Sequence, residues 1–235
     1  NNIDILINLA LAQKEANLLN ESIETNNRVI KINPNSFEAY VNLSDLYINL
    51  KNYFEALKCA RHASILNPDS PEAFCNIGNA FFGMQNYKLA EENYTKSLHL
   101  NPNSTFISHN LAITQMKLGK YNEAIIFLKN NLNQENNYLE SQIDLSLCFF
   151  ELGELEKSII EHKKAITYFP RNYEAYNNLG NLLLFLGKND EAKKYFKIAL
   201  KLSPNNSIIF FNIARVEMSS KNYQNALDLC HQALK

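Results

Sequence analysis

The chain has 235 residues, 46% hydrophobic and 20% charged, which is ordinary folded material and long enough for one large domain or an extended array. Its 23 Lys and Arg nearly balance 24 Asp and Glu, and a formal charge of -1 offers no general attraction to phosphate backbones or anionic lipid, so no nucleic acid or membrane partner is expected. No stretch approaches the roughly 20 apolar residues that cross a bilayer.

The run from Ile3 to Ala12 is broken by Asp4 and Asn8 and lacks the basic leader of a signal peptide. Cys59, Cys75, Cys148 and Cys230 are scattered through helical pattern and do not form a disulfide framework, which places the chain in a reducing, cytoplasmic compartment. The first residue is Asn rather than Met, and the chain is expected to be an excised fragment.

Pro34, Pro68, Pro102, Pro170 and Pro204 stand at multiples of 34 from the first, with Asn136 in the one vacant slot. Setting each proline at place 32 of a unit divides a single array over 1–235 into repeats 3–36, 37–70, 71–104, 105–138, 139–172, 173–206 and an incomplete 207–235. The first unit sets Leu9 beside the small Ala10 at places 7 and 8, and Ser22 at place 20. The second repeats this with Leu43, Ser44 and Ala56, and the third with Ile77, Gly78 and Ala90; Tyr53 and Tyr87 follow their interhelical turns. The fourth has Leu111, Ala112 and Ala124, with Gly119 marking the turn and Tyr121 after it, but departs from the pattern at Ser108, Asn131 and Asn136. The fifth carries Leu145, Ser146, Gly153 and Ser158 with a polar Gln142, and the sixth Leu179, Gly180, Gly187 and Ala192. The last has Ile213, Ala214, Tyr223 and Ala226, and its second helix presents Leu227, Leu229, Cys230 and Leu234 with nothing following, so the parent protein is expected to continue beyond Lys235.

Small side chains at places 8 and 20 let two helices approach toward the lower end of the roughly 8 to 10 Å packing range. A lone helix pair cannot bury enough apolar surface to offset about 1.5 kcal/mol of ordering entropy per residue, so the pairs must stack. The departures at Asn131, Asn136 and Gln142 mark the seam between repeats four and five as the loosest.

These columns, a small residue at place 8, Ala at 20 and 27, and Pro at 32, resemble the tetratricopeptide repeat over the whole chain; place 27 departs from them at Val29 and Asn131. The resemblance implies an all-α fold, a right-handed superhelical solenoid of seven stacked helix-turn-helix repeats. It further implies that the first helix of each repeat lines a concave groove, with places 2, 5, 6, 9, 12 and 13 facing inward, where extended peptides lie. Place 6 reads Asn8, Asn42, Asn76, Asn110, Asp144, Asn178 and Asn212. A carboxamide both donates and accepts, so this row can read a peptide backbone whatever its side chains; it can equally bond the neighbouring repeat and fix the stacking angle. Such a ladder is most similar to the repeat region of O-linked N-acetylglucosamine transferases.

Backbone pairing alone roughly cancels, at about 0.5 to 1.5 kcal/mol per hydrogen bond against 1 to 2 kcal/mol per ligand residue ordered. Side-chain contacts must supply affinity, and the candidates are Asp45, Asn79, Phe106, His109, Lys117, Asn177, Asn181, Phe185, Phe211 and Arg215. Ile48, Met116 and Met218 add apolar surface at inward places; Phe82 and Phe150 are expected to pack between repeats, and Phe106 and Phe185 to be exposed. The excess of groove acids over bases lies largely at place 2, where a carboxylate opposes the helix dipole, so neutral or mildly basic ligands are expected. Lys is absent from place 5, which argues against the clamp by which some tetratricopeptide domains hold the acidic tail of large heat-shock chaperones.

No catalytic constellation is present: the six Gly are isolated, no serine elbow occurs, and neither Cys59 with His62 nor Cys75 with His109 has the further ligands zinc requires. The five His are His62, His99, His109, His162 and His231, and the two Cys–His pairs read as surface and groove side chains. The chain therefore reads as a protein-protein interaction module with no cofactor and no metal, binding an extended peptide or partner helix. The alternatives are the substrate-selecting arm of a larger O-linked N-acetylglucosamine transferase whose catalytic domain lies elsewhere, and a scaffold that self-associates end to end.

Overall fold

The computed structural model describes residues 2–134 and 139–234. Fourteen α-helices occupy the described residues: α1 (Asn2–Glu15), α2 (Leu19–Ile32), α3 (Phe37–Asn49), α4 (Tyr53–Leu66), α5 (Pro71–Gly83), α6 (Tyr87–Leu100), α7 (Thr105–Lys117), α8 (Tyr121–Gln134), α9 (Leu139–Glu151), α10 (Leu155–Tyr168), α11 (Tyr173–Phe185), α12 (Asn189–Leu202), α13 (Ser207–Ser219) and α14 (Tyr223–Ala233). They fall two to a repeat at the boundaries set by the prolines, and the described residues contain no strand. One array is expected over 1–235; contacts gather the chain into two compact units, Asn1–Phe127 and Leu128–Lys235, and the boundary falls within α8. Asn136 and the seam through residues 135–138 lie outside the described residues.

Each helix pair closes through the same turn. The residue at place 15 takes a left-handed backbone in all seven repeats, at Asn17, Lys51, Gln85, Gly119, Gly153, Gly187 and Lys221. The next N–H then reaches back to the carbonyl five residues earlier, as from Asn52 to Tyr47 and from Lys120 to Gln115, each at 2.8 to 2.9 Å. That paired closure satisfies orphan carbonyls at the end of the first helix. Four of the seven positions lack glycine, so the turn is imposed by the stacked pair rather than granted by the residue.

Second helices end just before the prolines. The chain then turns through bonds such as Ser70 N to Asn67 O (3.3 Å), and the following Ser or Asn caps the next helix. Ser70 Oγ accepts from Ala73 N at 3.1 Å and Asn172 Oδ1 from Ala175 N at 2.8 Å.

Within the first unit successive helices pack in order from α1 to α7, and α3 also touches α1 and α5. The second unit repeats this from α9 to α14, with α11 touching α13. One core centres on Phe74, Phe81, Tyr94 and Leu111, the other on Leu179, Leu183, Phe196 and Ile213. The small residues at places 8 and 20 are buried in every repeat. Three of the serines there send the hydroxyl across the pair, Ser22 to Ala10 O (2.7 Å), Ser44 to Ala56 O (3.0 Å) and Ser158 to Ser146 O (2.7 Å), while Ser146 donates to Ile143 O (2.6 Å) in its own helix. A hydroxyl satisfied this way is tolerated in a dry seam.

Place 8 also answers to place 24. Gly78 faces the Tyr94 ring, and Gly180 faces the Phe196 ring; a Cβ on either glycine would lie at 2.7 or 2.6 Å from ring carbon. Place 7 is buried except at Leu9, which is 43% exposed on α1. The two departures at place 27 are accommodated inside, for Val29 and Asn131 are both buried.

Candidate functional site

In the first unit Asn42 Nδ2 donates to Asn26 Oδ1 at 3.5 Å, Asn76 Nδ2 to the Val41 carbonyl at 3.4 Å, and Asn110 Nδ2 to Asn79 Oδ1 at 3.5 Å. Asn79 Oδ1 also takes the Tyr94 hydroxyl at 2.6 Å. In the second unit Asn212 Nδ2 donates to Asn177 Oδ1 at 2.9 Å. All four donors reach back to the preceding repeat, so these members of the row first clasp neighbouring repeats. The three longer contacts sit at the weak limit of hydrogen-bond geometry, whereas that of Asn212 is of ordinary length. Asn76 and Asn212 are buried, Asn42, Asn110, Asp144 and Asn178 half-buried, and Asn8 exposed.

The first unit holds a cavity of about 310 Å³ among α3, α5 and α7, lined by Asn42, Asp45, Glu72, Asn76 and Phe106. Lys14 of α1 ion-pairs with Asp45, and Glu72 accepts the Ser70 hydroxyl at 2.8 Å. In the second unit a cavity of about 300 Å³ is lined by Ile143, Leu147, Phe150, Asn178, Asn181 and Phe185, with His162 also in its wall. A wider groove of about 570 Å³ follows between α11 and α13, bounded by Phe185, Phe211, Arg215 and Met218.

Phe106, Phe185 and Phe211 are 57%, 68% and 54% exposed, as an anchoring role requires. Phe82 and Phe150 instead pack against the cores, and Phe150 meets Phe185 edge to face at 5.1 Å. Lys117 and Arg215 are exposed; Asp45, Asn79, Asn177 and Asn181 are half-buried. His109 is buried, so its imidazole offers little surface to a ligand.

His162 is a cavity-wall residue that the sequence did not single out. It is buried on α10, where Nδ1 donates to Ser158 O at 2.9 Å and Nε2 lies 3.2 Å from Ser146 Oγ. Burial pushes its pKa below the ordinary 6.5, partly opposed by the Ser158 carbonyl. Its signal in the sequence was its place: residue 24, opposite the small residue at place 8. Leu147 is the other omission, an apolar residue at place 9 where Asp45, Asn79 and Asn181 are polar.

The thiols of Cys59, Cys75 and Cys148 are poor nucleophiles and poor metal ligands. Burial, followed by the fields of Asp45 and Glu72, pushes the Cys75 pKa up to about 12. Burial, with Asp144 and Glu151, does the same for Cys148, and Cys59 rises to about 11 by burial and then Glu55. Among the described residues no three His, Cys, Asp or Glu side chains are grouped to hold a metal ion, and no helix is long and apolar enough to cross a membrane.

Paired helices, a left-handed residue at place 15 and buried small residues at places 8 and 20 together define an all-α helical repeat solenoid. Models described as tetratricopeptide repeat match residues 26–58, 71–104 and 173–206. The chain is 38% identical over 82 residues to anaphase-promoting complex subunit 3 of Schizosaccharomyces pombe, covering 35% of this chain and 12% of that protein. It is 31% identical over 104 residues to the CTR9 homolog of Arabidopsis thaliana, covering 44% of this chain and 9% of that protein. These alignments therefore cover only a small part of either relative. Among solved structures it is similar to the APC/C hetero-tetramer Cut9-Hcn1, with TM-score 0.74 and 18% identity over 96% of this chain and 45% of that one. It is also similar to YrrB, described as a TPR protein with an unusual peptide-binding site, with TM-score 0.63 and 19% identity over 80% and 96% of the two chains. At such identities the structural likeness speaks for the fold alone.

Proposed function

We propose that the chain is a protein-interaction module that receives a segment of a partner protein on the faces formed by its first helices. The observation that carries this reading is the coincidence, within each unit, of a cavity, carboxamides and a largely exposed phenylalanine: Asn42 and Asn76 with Phe106, and Asn178 and Asn181 with Phe185. Amides that orient and an aromatic that anchors are what a segment of extended chain requires. The relatives lend support, since one is named as a subunit of a complex and one as a peptide-binding protein. Because Asn42, Asn76, Asn110 and Asn212 already bond the preceding repeat, they hold the face in shape, and we assign direct contact first to Asn178, Phe106 and Phe185. The four free thiols support a reducing, cytoplasmic setting, which we propose with it. The transferase-arm and self-association alternatives draw no specific observation from this structure.

The test is capture of partner segments on the immobilised chain, followed by mapping of the retained peptides. Phe106→Ala, Phe185→Ala and Asn178→Ala are each expected to weaken capture several-fold while helicity is kept. Unchanged capture by all three would remove the first-helix faces from the binding surface.

A further inference from the structure

The groove between α11 and α13 contains a cation that, among the described residues, pairs with no carboxylate. Arg215 lies on the exposed stripe of α13 with Phe211 one turn before it and Met218 one turn after, and Phe185 of α11 forms the facing wall. Its Nη1 donates to two carboxamide oxygens, Asn181 Oδ1 at 3.4 Å and Asn212 Oδ1 at 3.3 Å. Asn212 is itself fixed, for its Nδ2 donates to Asn177 Oδ1 at 2.9 Å. Neutral oxygens orient a guanidinium without cancelling its charge, and the remaining N–H donors of the fork are left for another acceptor.

The one carboxylate on α13 is held elsewhere. Glu217 is buried, ion-paired with Lys193 of α12, and accepts from Asn222 Nδ2 at 3.0 Å. Residues two apart on a helix do not face one another, so Glu217 cannot turn to Arg215 without breaking that buried pair. Asp228 of α14 accepts from Gln224 at 3.3 Å, and Glu174 stands in the first turn of α11, at the opposite end from Phe185. Among the described residues no ion pair is formed by Arg215.

We propose that this groove binds an internal Asp or Glu of a partner protein segment, with an apolar residue two positions away on each side; this rests on the protein-binding reading above. The spacing selects that pattern. Phe211 to Arg215 is a rise of about 6 Å along the helix and Arg215 to Met218 about 4.5 Å. Same-face side chains of an extended segment stand about 6.6 Å apart, so an apolar, spacer, acidic, spacer, apolar run laid along α13 meets all three. A chain-terminal carboxylate has neighbours on one side only and would leave one of the flanking surfaces uncovered. The site reverses, for this part of the chain, the neutral to basic preference expected from the whole set of groove charges.

The test uses the full chain and labelled peptides, acetylated and amidated at their ends, built on Leu-Ser-Asp-Ser-Leu. Two companions carry Asn or Lys in place of the Asp, and a third ends at the Asp with a free carboxylate. Fluorescence anisotropy at about 0.15 M salt should show the Asp peptide binding roughly tenfold more tightly than the Asn peptide, which corresponds to about 1.4 kcal/mol, and more tightly still than the Lys peptide. Arg215→Gln should erase the difference and Arg215→Lys reduce it, while Phe185→Ala weakens every peptide alike. Equal affinity for the Asp, Asn and Lys peptides, or a preference that survives in R215Q, overturns the inference and leaves the protein-binding reading standing. Tighter binding of the peptide that ends at Asp overturns the internal-acid assignment. Failure of every peptide to bind, with capture of partner segments retained, overturns this inference alone, and failure of both assays overturns both readings.

Discussion

Adding one methyl group at Gly180 sets two physical effects against each other, and the structure decides which wins. Alanine in place of glycine inside α11 gains about 1 kcal/mol of helix propensity. The added Cβ would meet Phe196 Cε1 at 2.6 Å and Cδ1 at 2.7 Å, and this ring is fully buried among Leu179, Leu183 and Ile213. Overpacking of a tight core costs about 1 to 3 kcal/mol, and a ring without free volume puts the cost near the upper end. Gly180→Ala should therefore destabilise the second unit by about 1 to 2 kcal/mol. Phe196→Leu alone leaves a void and should cost roughly 1 to 2 kcal/mol. Combining the two gives Ala at place 8 with Leu at place 24, which the fourth repeat already has at Ala112 and Leu128. The double variant should be at least as stable as F196L, a favourable coupling of about 2 kcal/mol. Urea unfolding followed by far-ultraviolet circular dichroism, fitted with a nearest-neighbour description suited to stacked repeats, measures this. If G180A is stabilised by its propensity alone, or the two substitutions simply add, the size-matching of places 8 and 24 is wrong.

The turn at place 15 gives a prediction of opposite sign: Lys51→Gly and Lys221→Gly, at φ of 58° and 59°, should raise the melting point through roughly 0.5 to 1 kcal/mol, and a lowered melting point would refute this. His162 is held neutral by burial, so below pH 6.5 the unfolded chain binds a proton that the folded chain does not. Stability is full above that pH and falls as the pH drops toward the depressed folded value; His162→Leu should flatten this part of the pH profile, and an identical acid loss in H162L would exclude His162 as its source. Iodoacetamide at pH 8 should modify the partly exposed Cys230 well before Cys75 and Cys148, whose thiols are raised to about 12, and mass spectrometry of the digests would show any reversal. Ser158→Ala should cost about 1 kcal/mol for the lost bond to Ser146 O, and Ser158→Val about 1 to 3 kcal/mol through overpacking; equal melting points for the two would contradict the dry helix-helix seam.

Helix boundaries and small-residue contacts were legible because they recur: the prolines mark each return of the chain, and the small residues at places 8 and 20 are buried in every repeat. The left-handed turn was legible at Gly119, Gly153 and Gly187 and more weakly at Asn17, a residue type that tolerates a positive φ, whereas Lys51, Gln85 and Lys221 carry no composition signal for it. The exposure of Phe106 and Phe185 followed from their places, as did the packing of Phe82 and Phe150. The roles of the place-6 amides did not follow, because one carboxamide can serve a ligand or the adjoining repeat equally well. The burial of His109 and His162 did not follow either, because charge type says nothing about how deep a helix face lies.

What the sequence determined by itself is the period, the helix pairing and the seam within each pair, since these rest on contacts between residues at fixed short separations along the chain. Only the tertiary structure decided which donors were already spent. Asn212, Asn177, Asn181 and Arg215 come from two repeats, and Glu217 is drawn away by a lysine of a third helix. Whether a polar group is free for a partner depends on every neighbour that could satisfy it first, and those neighbours are set by packing between repeats rather than by order along the chain.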